Sequence, residues 1–414
     1  MAMVIGSFQV ENIEFGQETA LRDKNLIVNK EALHNFLTMK DDRIQSLDIT
    51  LAKPEESTRI ICVKDVIEPW CKVSGNNPGE GVKHVLKNVA IVTCGKIVGF
   101  QEGIIDMSGS GALYTPFSKT LNVVLEIEVV PSLTPHQHEE VVRLSGFAAA
   151  QFLGAAVRTS ESDVVETFDT PDASSVSPDL PKVAYVYMLL SQGLLHDTYV
   201  FGQNAQKGLP RPISPLALLD GAITSGNCVS ACDKNTTWHH QNNLLLQELY
   251  QRHGKELNFV GVVLTDEPVR LEAKQASAEK TIELVKSLGA DGAVISKEGF
   301  GNPDADQMML IRGLEESGIK TVSITDEYAG ADGSSQSLAD VTPEADAVIS
   351  VGNANERVIL PPLKRLTGPI KDLTHLAGAY PQSLHDDGSL EIELQGIIGS
   401  TNELGSHTLS AREV

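Results

Sequence analysis

The stretch Asn258-Phe259-Val260-Gly261-Val262-Val263-Leu264 is a continuous apolar run, typical of a strand that is covered on both faces of a sheet. A helix is expected directly after it, beginning near Pro268 and ending where Gly289 suits a C-terminal cap. The unit then recurs, with strands at 293–296, 321–324 and 347–351 and a second helix from 302 to 318. Strands and helices that alternate at these lengths predict a mostly parallel sheet with right-handed crossovers, which is a Rossmann-like layered α/β domain.

The remainder of the chain divides by composition into two parts. Residues 1–131 contain four short strand-like runs rich in β-branched residues, at 46–51, 59–63, 89–93 and 121–129, separated by Gly, Pro and Asn, and they are predicted to form a β-rich N-terminal domain. Residues 132–227 are predicted to be a helical and connecting region, with a helix from 135 to 158 and an exposed loop from 160 to 181. The Rossmann-like α/β domain is then expected over residues 228–414.

The charge of the chain excludes several classes of partner. It has 33 basic and 55 acidic residues and a formal net charge of −22, which would repel a nucleic-acid backbone. The N-terminal residues have no basic flank and no uninterrupted apolar run reaches about eighteen residues, so we expect neither a signal peptide nor a membrane span. Five cysteines without a regular spacing indicate reduced thiols. We therefore expect a cytoplasmic protein.

Ligands of open parallel sheets bind at the carboxyl ends of the strands. Polar and small residues in the loops there are candidates for substrate binding, namely Gly299, Gly301, Asn302, Asn353 and Asn355. Glycines directly before a helix suit an anion such as a carboxylate, because the first helical turn exposes backbone N–H groups. The alternative is that the glycines only make the turn and Asn302 only caps the helix. The third glycine of a dinucleotide-binding fingerprint is absent.

The segment from Thr224 to Asn243 has the highest density of reactive side chains in the sequence. It contains Cys228, Cys232, His239 and His240 within about twenty residues. A metal site is disfavoured because Cys-x3-Cys followed by adjacent histidines does not match zinc spacings, so no metal is expected. A redox dithiol is disfavoured because two residues normally separate such cysteines. Free cysteines packed in a core remain an alternative.

The Asn227-Cys228 peptide bond offers a further kind of chemistry. A thiol one residue after a carbonyl can attack it and shift the acyl group from nitrogen to sulfur. Gly226 would permit the strained backbone that this shift requires. Elimination and hydrolysis would then leave a pyruvoyl group at a new N-terminus. The spacing permits this reaction without establishing it.

Four segments resemble one enzyme family over nearly the whole chain. They are 226–243, with Gly226-Asn227-Cys228-Val229-Ser230-Ala231-Cys232, together with 10–16, 298–303 and 397–405. The chain resembles the proprotein, or pyruvoyl-precursor, subunit of substrate-specific protein B of the glycine, sarcosine and betaine reductases. The resemblance implies cleavage between Asn227 and Cys228, and a pyruvoyl group formed from Cys228. Cys232, His239 and His240 are possible supporting residues.

The resemblance also implies a reaction and a set of partners. These enzymes reductively cleave the C–N bond of glycine, sarcosine or betaine with electrons from the thioredoxin system, so a hetero-oligomer is expected. The partners implied are a selenocysteine-containing protein B subunit and selenoprotein A, since this chain contains no selenocysteine. A pyruvoyl ketone would make an amine a better leaving group, whereas betaine has no N–H with which to condense.

Two rival functions remain at this point. One is an unprocessed protein that binds a small carboxylate at the strand ends and serves as a scaffold for the selenoprotein partner. The other is a pyruvoyl-dependent decarboxylase, which is disfavoured because such chains are shorter and lack these motifs.

Overall fold

A computed structural model of the chain describes residues 2–98, 103–172, 176–192, 195–228, 231–369, 373 and 376–404. Two parts of the motifs quoted above, Val229-Ser230 and Gly405, lie outside the described residues. The chain is a mixed α/β protein. Its α-helices are α1 (Lys30–Lys40), α2 (Pro135–Gly154), α3 (Pro215–Leu219), α4 (Thr237–Gln241), α5 (Leu244–Arg252), α6 (Leu271–Ser287) and α7 (Asn302–Glu316). Short 3-10 helices span Ser110–Tyr114, Pro116–Lys119, Ala155–Val157 and Leu394–Gly396.

The strands alternate with these helices along the chain. In the N-terminal part they are β1 (Ala2–Gln9), β2 (Asn12–Phe15), β3 (Ala20–Arg22), β4 (Asn25–Val28), β5 (Ile44–Ala52), β6 (Thr58–Ile67), β7 (Trp70–Ser74), β8 (Gly81–Lys87), β9 (Val89–Cys94), β10 (Gly103–Asp106), β11 (Leu121–Val129) and β12 (Val164–Asp169). After these come β13 (Lys182–Leu189), β14 (Thr198–Val200), β15 (Gln203–Asn204), β16 (Arg211–Ile213), β17 (Ile223–Ser225), β18 (Asn258–Asp266), β19 (Gly292–Ser296), β20 (Lys320–Glu327), β21 (Val348–Asn353), β22 (Arg357–Leu360), β23 (Arg365–Thr367) and β24 (Leu390–Glu393).

One sheet has the strand order β16-β18-β13-β19-β20-β21. The neighbours from β18 to β21 pair in parallel, while the edge strand β16 runs antiparallel to β18. The four strands predicted from the sequence are present in it as β18 to β21, and the two predicted helices are α6 and α7. Gly289 follows α6 with a φ of 65°, the left-handed conformation that a helix C-terminus favours in glycine.

The sequence prediction missed the central strand of this sheet, β13. That strand lies between β18 and β19 and is buried on both faces, with Tyr185 and Tyr187 in one core and Ala184 and Val186 in the other. Its continuous apolar run was the available signal. Because β13 precedes Cys228, the sheet crosses the boundary predicted at residue 227.

Helices cover both faces of the parallel sheet. Ala278 of α6 and Met308 of α7 belong to the core on one face. Leu216 of α3 and Leu246 of α5 belong to the core on the other face. Apolar surface on each side of the strands is therefore removed from water, which is the main favourable contribution to the stability of such a layered arrangement.

The N-terminal part is built from several smaller sheets. A mixed sheet has the order β10-β6-β9-β11-β5, and α2 packs on it through residues such as Val141 and Leu153. The four strands predicted here are present as β5, β6, β9 and β11. The prediction of an exposed loop from 160 to 181 is wrong in part, because the segment contains β12, which pairs antiparallel with β1 along the whole of β12. Most of β12 is exposed, so main-chain pairing rather than burial makes it a strand.

The C-terminal residues return to the N-terminal sheets. β23 pairs in parallel with β6, and Ile397 forms a bridge with Ile104. The buried ion pair between Arg59 and Asp106 lies at the same place, with an Nε–Oδ1 distance of 2.6 Å. Residues far apart in sequence therefore share one core.

Helix α2 is an internal helix despite its apolar composition. The segment Pro135–Val157 is long and apolar enough to span a membrane by length and composition alone, but 61% of its most apolar window is buried inside the protein. Thr134 caps the helix, since its Oγ1 accepts the Gln137 N–H at 3.3 Å and its own N–H donates to Gln137 Oε1 at 3.0 Å.

Candidate functional site

The parallel sheet brings two loops together between β13 and β19. The connection that leaves β13 runs through α5 on one face, whereas the connection that leaves β19 runs through α7 on the other face. The strand ends therefore diverge between β13 and β19, which is where open α/β sheets bind ligands. Glu298 spans this point, because its Oε2 accepts the Leu190 N–H at 3.3 Å and its Oε1 accepts the Asn235 N–H at 3.0 Å.

The segment from Ser225 to Thr237 forms a loop whose two ends are tied together. The Ser225 N–H donates to Thr237 Oγ1 at 3.0 Å. Asp65 in β6 accepts from the Thr237 N–H at 2.8 Å and from the Thr237 hydroxyl at 2.6 Å. Lys64 Nζ donates to the Ser225 carbonyl at 2.6 Å and also pairs with Glu139 at 2.9 Å. A strand of the N-terminal sheet therefore holds both ends of the loop.

The C-terminal segment holds the middle of the same loop. The Ala231 N–H donates to the Gln395 carbonyl at 3.1 Å, and the Ala231 carbonyl accepts the Gly399 N–H at 2.8 Å. The Thr401 N–H donates to the Cys232 carbonyl at 3.1 Å. Residues 395–401 thus lie beside Ala231 and Cys232, which the sequence alone did not indicate.

The Asn227-Cys228 bond lies inside this loop and is removed from solvent. Asn227 is 0% and Cys228 is 5% exposed. The Cys228 N–H donates to the Leu195 carbonyl at 2.9 Å, and its thiol is 3.6 Å from the Gly226 carbonyl oxygen. The side chain of Asn227 interacts with Glu298, whose pKa burial raises to about 7 while its hydrogen bonds oppose that rise.

Lys234 is the cation that the loop places near this bond. It is 2% exposed, and its ammonium donates to the Lys64 carbonyl. Burial lowers the pKa of Lys234 to about 8, and the neighbouring Cys228 thiol is the next largest influence, in the opposite direction. A lysine with such a pKa can exchange a proton near neutral pH.

Gly226 serves a purpose different from the one expected. Its φ lies outside the left-handed region, so the strained backbone expected there is absent. A Cβ at this position would instead lie 2.5 Å from Cε2 of Tyr199 and 3.0 Å from the Asp197 carbonyl oxygen. Glycine is needed because the Tyr199 ring packs directly against the backbone.

The two histidines occupy separate environments. His239 caps α4, since its Nδ1 lies 3.1 Å from the Thr236 nitrogen and 2.8 Å from the Thr236 hydroxyl. His240 Nδ1 lies 2.6 Å from the hydroxyl of Tyr187. Burial lowers the pKa of His240 to about 3, so it is neutral at physiological pH. The structure gives both rings local partners, and their suggested supporting role remains a prediction.

Cys232 is fully buried beside two carboxyl groups. Burial, together with Asp233 and Asp326, raises the pKa of its thiol well above the ordinary value. Among the described residues, one group of three metal-type ligand atoms comes within 4.8 Å, formed by Cys232, Asp233 and Asp326. Cys228 and the two histidines do not belong to this group.

The predicted substrate-binding residues lie in the loops at the strand ends. Gly299 and Gly301 have φ values of 83° and 78°, and Gly301 is the N-cap of α7. The alternative assignment of Asn302 as a cap is wrong, because it is the first helical residue and no side chain caps this helix. Asn353 donates to the Gly330 carbonyl at 2.8 Å, and Asn355 Oδ1 accepts the Gly330 N–H at 3.1 Å. These two asparagines fix a neighbouring loop.

Comparison with known proteins identifies the family. The model of the family described as glycine/sarcosine/betaine reductase component B subunits matches residues 1–412. The chain belongs to this family. No solved structure matches it.

Relatives of this component B subunit cover its full length. It is 49% identical over 427 residues to the glycine reductase complex component B subunits alpha and beta of Peptoclostridium acidaminophilum, with both chains covered completely. It is 46% identical, again over all of both chains, to the sarcosine reductase complex component B subunit alpha of the same organism. It is also 22% identical to the D-proline reductase proprotein PrdA of Acetoanaerobium sticklandii, over 77% of this chain and 54% of that protein.

Several polar residues of the component B site were not among the residues singled out from the sequence. Lys234 and Glu298 lie inside the quoted motifs, so their position there was a usable signal. Lys64 and Asp65 lie in a strand about 160 residues earlier and reach the loop only through folding. Nothing in their local sequence distinguishes them from other charged residues of a strand.

Gly226→Ala is expected to lower the free energy of unfolding by about 1–3 kcal/mol, because the added methyl overlaps the Tyr199 ring. Urea-induced unfolding measures this loss. Gly292→Ala is the matched control, since its nearest neighbour would be the Lys320 carbonyl oxygen at an ordinary 3.4 Å. Equal stability of the two variants would contradict the close approach at Gly226.

Proposed function

We propose that this chain is the pyruvoyl-bearing subunit of a complex that reductively cleaves the C–N bond of glycine, sarcosine or betaine. It matures by self-cleavage between Asn227 and Cys228. The observation that carries the proposal is the position of that bond, which is buried in a loop tied at both ends and lies where β13 and β19 diverge. A buried scissile bond beside a titratable lysine favours intramolecular chemistry over attack by an external protease.

The maturation uses residues of this chain and water. The Cys228 sulfur attacks the Asn227 carbonyl carbon, the C–N bond breaks, and the nitrogen takes up a proton as a thioester forms. Loss of the Cα proton of Cys228 then expels Asn227 as a thiocarboxylate and leaves dehydroalanine. Water hydrolyses the tautomeric imine, releases ammonia and leaves the pyruvoyl group at position 228. We assign to Lys234 the transfer of the thiol proton to the departing nitrogen, and its electrostatic interaction with Cys228 and its lowered pKa support this role.

The names of the relatives support processing. The name of the glycine reductase relative gives two subunits, alpha and beta, for one chain, and that chain matches this one along the full length of both. The D-proline reductase relative is named a proprotein. Cleavage at residue 227 would likewise convert this chain into two subunits, residues 1–227 and 228–414.

The mature group supplies a carbonyl carbon that can condense with a substrate amine. The residues around position 228 fit such a group, because the site is dry and the Glu298 carboxyl and the Lys234 amine lie nearby. We further propose that a selenocysteine-containing protein B subunit, selenoprotein A and the thioredoxin system complete the reaction in the cytoplasm. The parallel sheet is proposed to be of the doubly wound, Rossmann-like class.

Cys228→Ala is expected to abolish cleavage, because no thiol remains to attack Asn227. Intact-mass measurement should show one uncut chain, whereas the native protein shows two fragments and its C-terminal fragment reacts with a hydrazide. Cys71→Ala removes another buried thiol and should leave cleavage unchanged. An uncut native protein in an active preparation would favour the unprocessed scaffold, and fragments from Cys228→Ala would place the site elsewhere.

Lys234→Met is expected to slow the appearance of the fragments by about 100-fold or more, because it removes the proton acceptor. With Lys234 present, the cleavage rate should rise with pH around 8, as the amine loses its proton, and the variant should lack this rise. Lys274→Met is a matched control, because Lys274 in α6 is equally buried but forms an ion pair with Asp306 in α7. A normal rate and pH profile in Lys234→Met would exclude this role.

The two fragments are expected to stay together after cleavage. β13 of the first fragment is hydrogen-bonded between β18 and β19 of the second, and β23 of the second pairs with β6 of the first. Gel filtration of the cut protein should give one peak containing both fragments, and separation should require a denaturant. Fragments that elute separately under native conditions would contradict this sheet topology.

A further inference from the structure

Three glutamates lie close together beside the loop between Ser225 and Thr237. Glu267, Glu298 and Glu403 are each 0% exposed and come from three separate segments of the chain. Asn235 joins two of them, because its N–H donates to Glu298 at 3.0 Å and its side-chain amide donates to Glu403 at 2.6 Å. Glu267 Oε2 lies 3.9 Å from the position that a Cβ on Gly299 would take, next to Glu298. These residues are called the glutamate cluster below.

Within the described residues, the glutamate cluster forms no ion pair. Neither carboxylate oxygen of Glu267, nor Oε2 of Glu403, has a hydrogen-bond partner in the described part of the protein. The ammonium groups near the cluster have other partners, namely Asp304 for Lys297, Asp306 for Lys274 and the Lys64 carbonyl for Lys234. Burying an unpaired carboxylate is costly, so such a group in a native protein calls for an explanation.

The charged groups around Glu267 are mostly acidic. Glu298, Glu403 and Asp306 raise its pKa, Lys297 opposes them, and burial is the largest cause of the rise. Burial and Glu298 raise the pKa of Glu403 well above the ordinary value in the same way. A bound cation would oppose this rise, because a neighbouring positive charge favours the carboxylate form.

A cleft lies beside the segment that carries Glu267. It has a volume of about 540 Å³ and lies over the ends of β13 and β18. Its walls include Ser191, Leu209, Pro210, Asp266, Pro268 and Lys280. The Glu267 N–H donates to the hydroxyl of Ser191 at 2.9 Å, so the wall of the cleft adjoins the backbone of Glu267, whose buried carboxylate does not itself line the cleft.

We propose that the glutamate cluster is a subsite for a small ammonium group, and that Glu267 accepts its hydrogen bond. The identity of that group as the amino end of the substrate rests on the function proposed above. A metal ion fits less well, because the oxygens of the three glutamates do not all come within 4.8 Å of one another. An ammonium group needs one carboxylate that accepts its hydrogen bond and a negatively charged environment.

The position of the cluster fits this assignment. Glu298 also interacts with the Asn227 side chain, directly before the cysteine that becomes the carbonyl. A bound amine would therefore lie on the side of the sheet where the carbonyl forms. The substrate nitrogen on Glu267 and the maturing residue beside Glu298 would therefore lie at neighbouring members of one cluster.

The test uses Glu267→Gln in the uncut Cys228→Ala chain, so that binding is measured without cleavage or carbonyl chemistry. Glycine and methylammonium should raise the melting temperature of the parent chain, and acetate should not. Glu267→Gln should weaken both amines at least about 10-fold, while raising the melting temperature without ligand because a buried unpaired carboxylate is removed. Glu403→Gln, measured in parallel, should weaken methylammonium in the same direction.

The matched control is Asp106→Asn, which alters a buried carboxylate that is already paired with Arg59 in the N-terminal sheet. It should lower the melting temperature and leave methylammonium binding unchanged. The subsite is excluded if methylammonium fails to stabilise the parent, if potassium at the same concentration stabilises it equally, or if both glutamine variants bind normally. Because the assay contains no cleavage step, uncut native protein together with normal amine binding would overturn the proposed maturation and leave the subsite standing.

Discussion

The carboxylate of Glu298 joins the parts of the chain on which the site depends. It accepts one hydrogen bond from the end of β13, at Leu190, and another from the processing loop, at Asn235. It also interacts with the Asn227 side chain. Moving this group would separate the strand end from the loop, because no other side chain among the described residues hydrogen-bonds to both. Its burial makes these hydrogen bonds stronger than they would be in water.

The sheet explains how one chain can be cut without losing its structure. The central strand β13 comes from before the scissile bond and its neighbours β18 and β19 from after it. A cut inside the connecting loop removes one covalent bond and leaves the cores on both faces of the sheet intact. Lys64 and Asp65 hold the loop ends independently of the bond, through Ser225 and Thr237. The proposed cleavage is therefore compatible with the folded structure of the sheet.

Strong local patterns allowed much of the fold to be predicted. The apolar run of β18 and the helices α6 and α7 have the periodicities of buried strands and amphipathic helices, and they form close to the predicted bounds. β12 was missed because an exposed edge strand has no burial pattern. β13 was missed because a polar, Ser- and Asp-rich stretch precedes it and the region as a whole was assigned as connecting.

The sequence by itself determined the family resemblance, the candidate cleavage site at Asn227-Cys228 and the alternating strands of the C-terminal half, since each depends on residues that are neighbours in the chain. Tertiary structure alone decided which groups surround that bond. Lys64, Glu298 and Glu403 come from distant segments, and their approach depends on strand order and on the burial of apolar faces. The lowered pKa of Lys234 requires that burial, because removal of water disfavours the charged ammonium form.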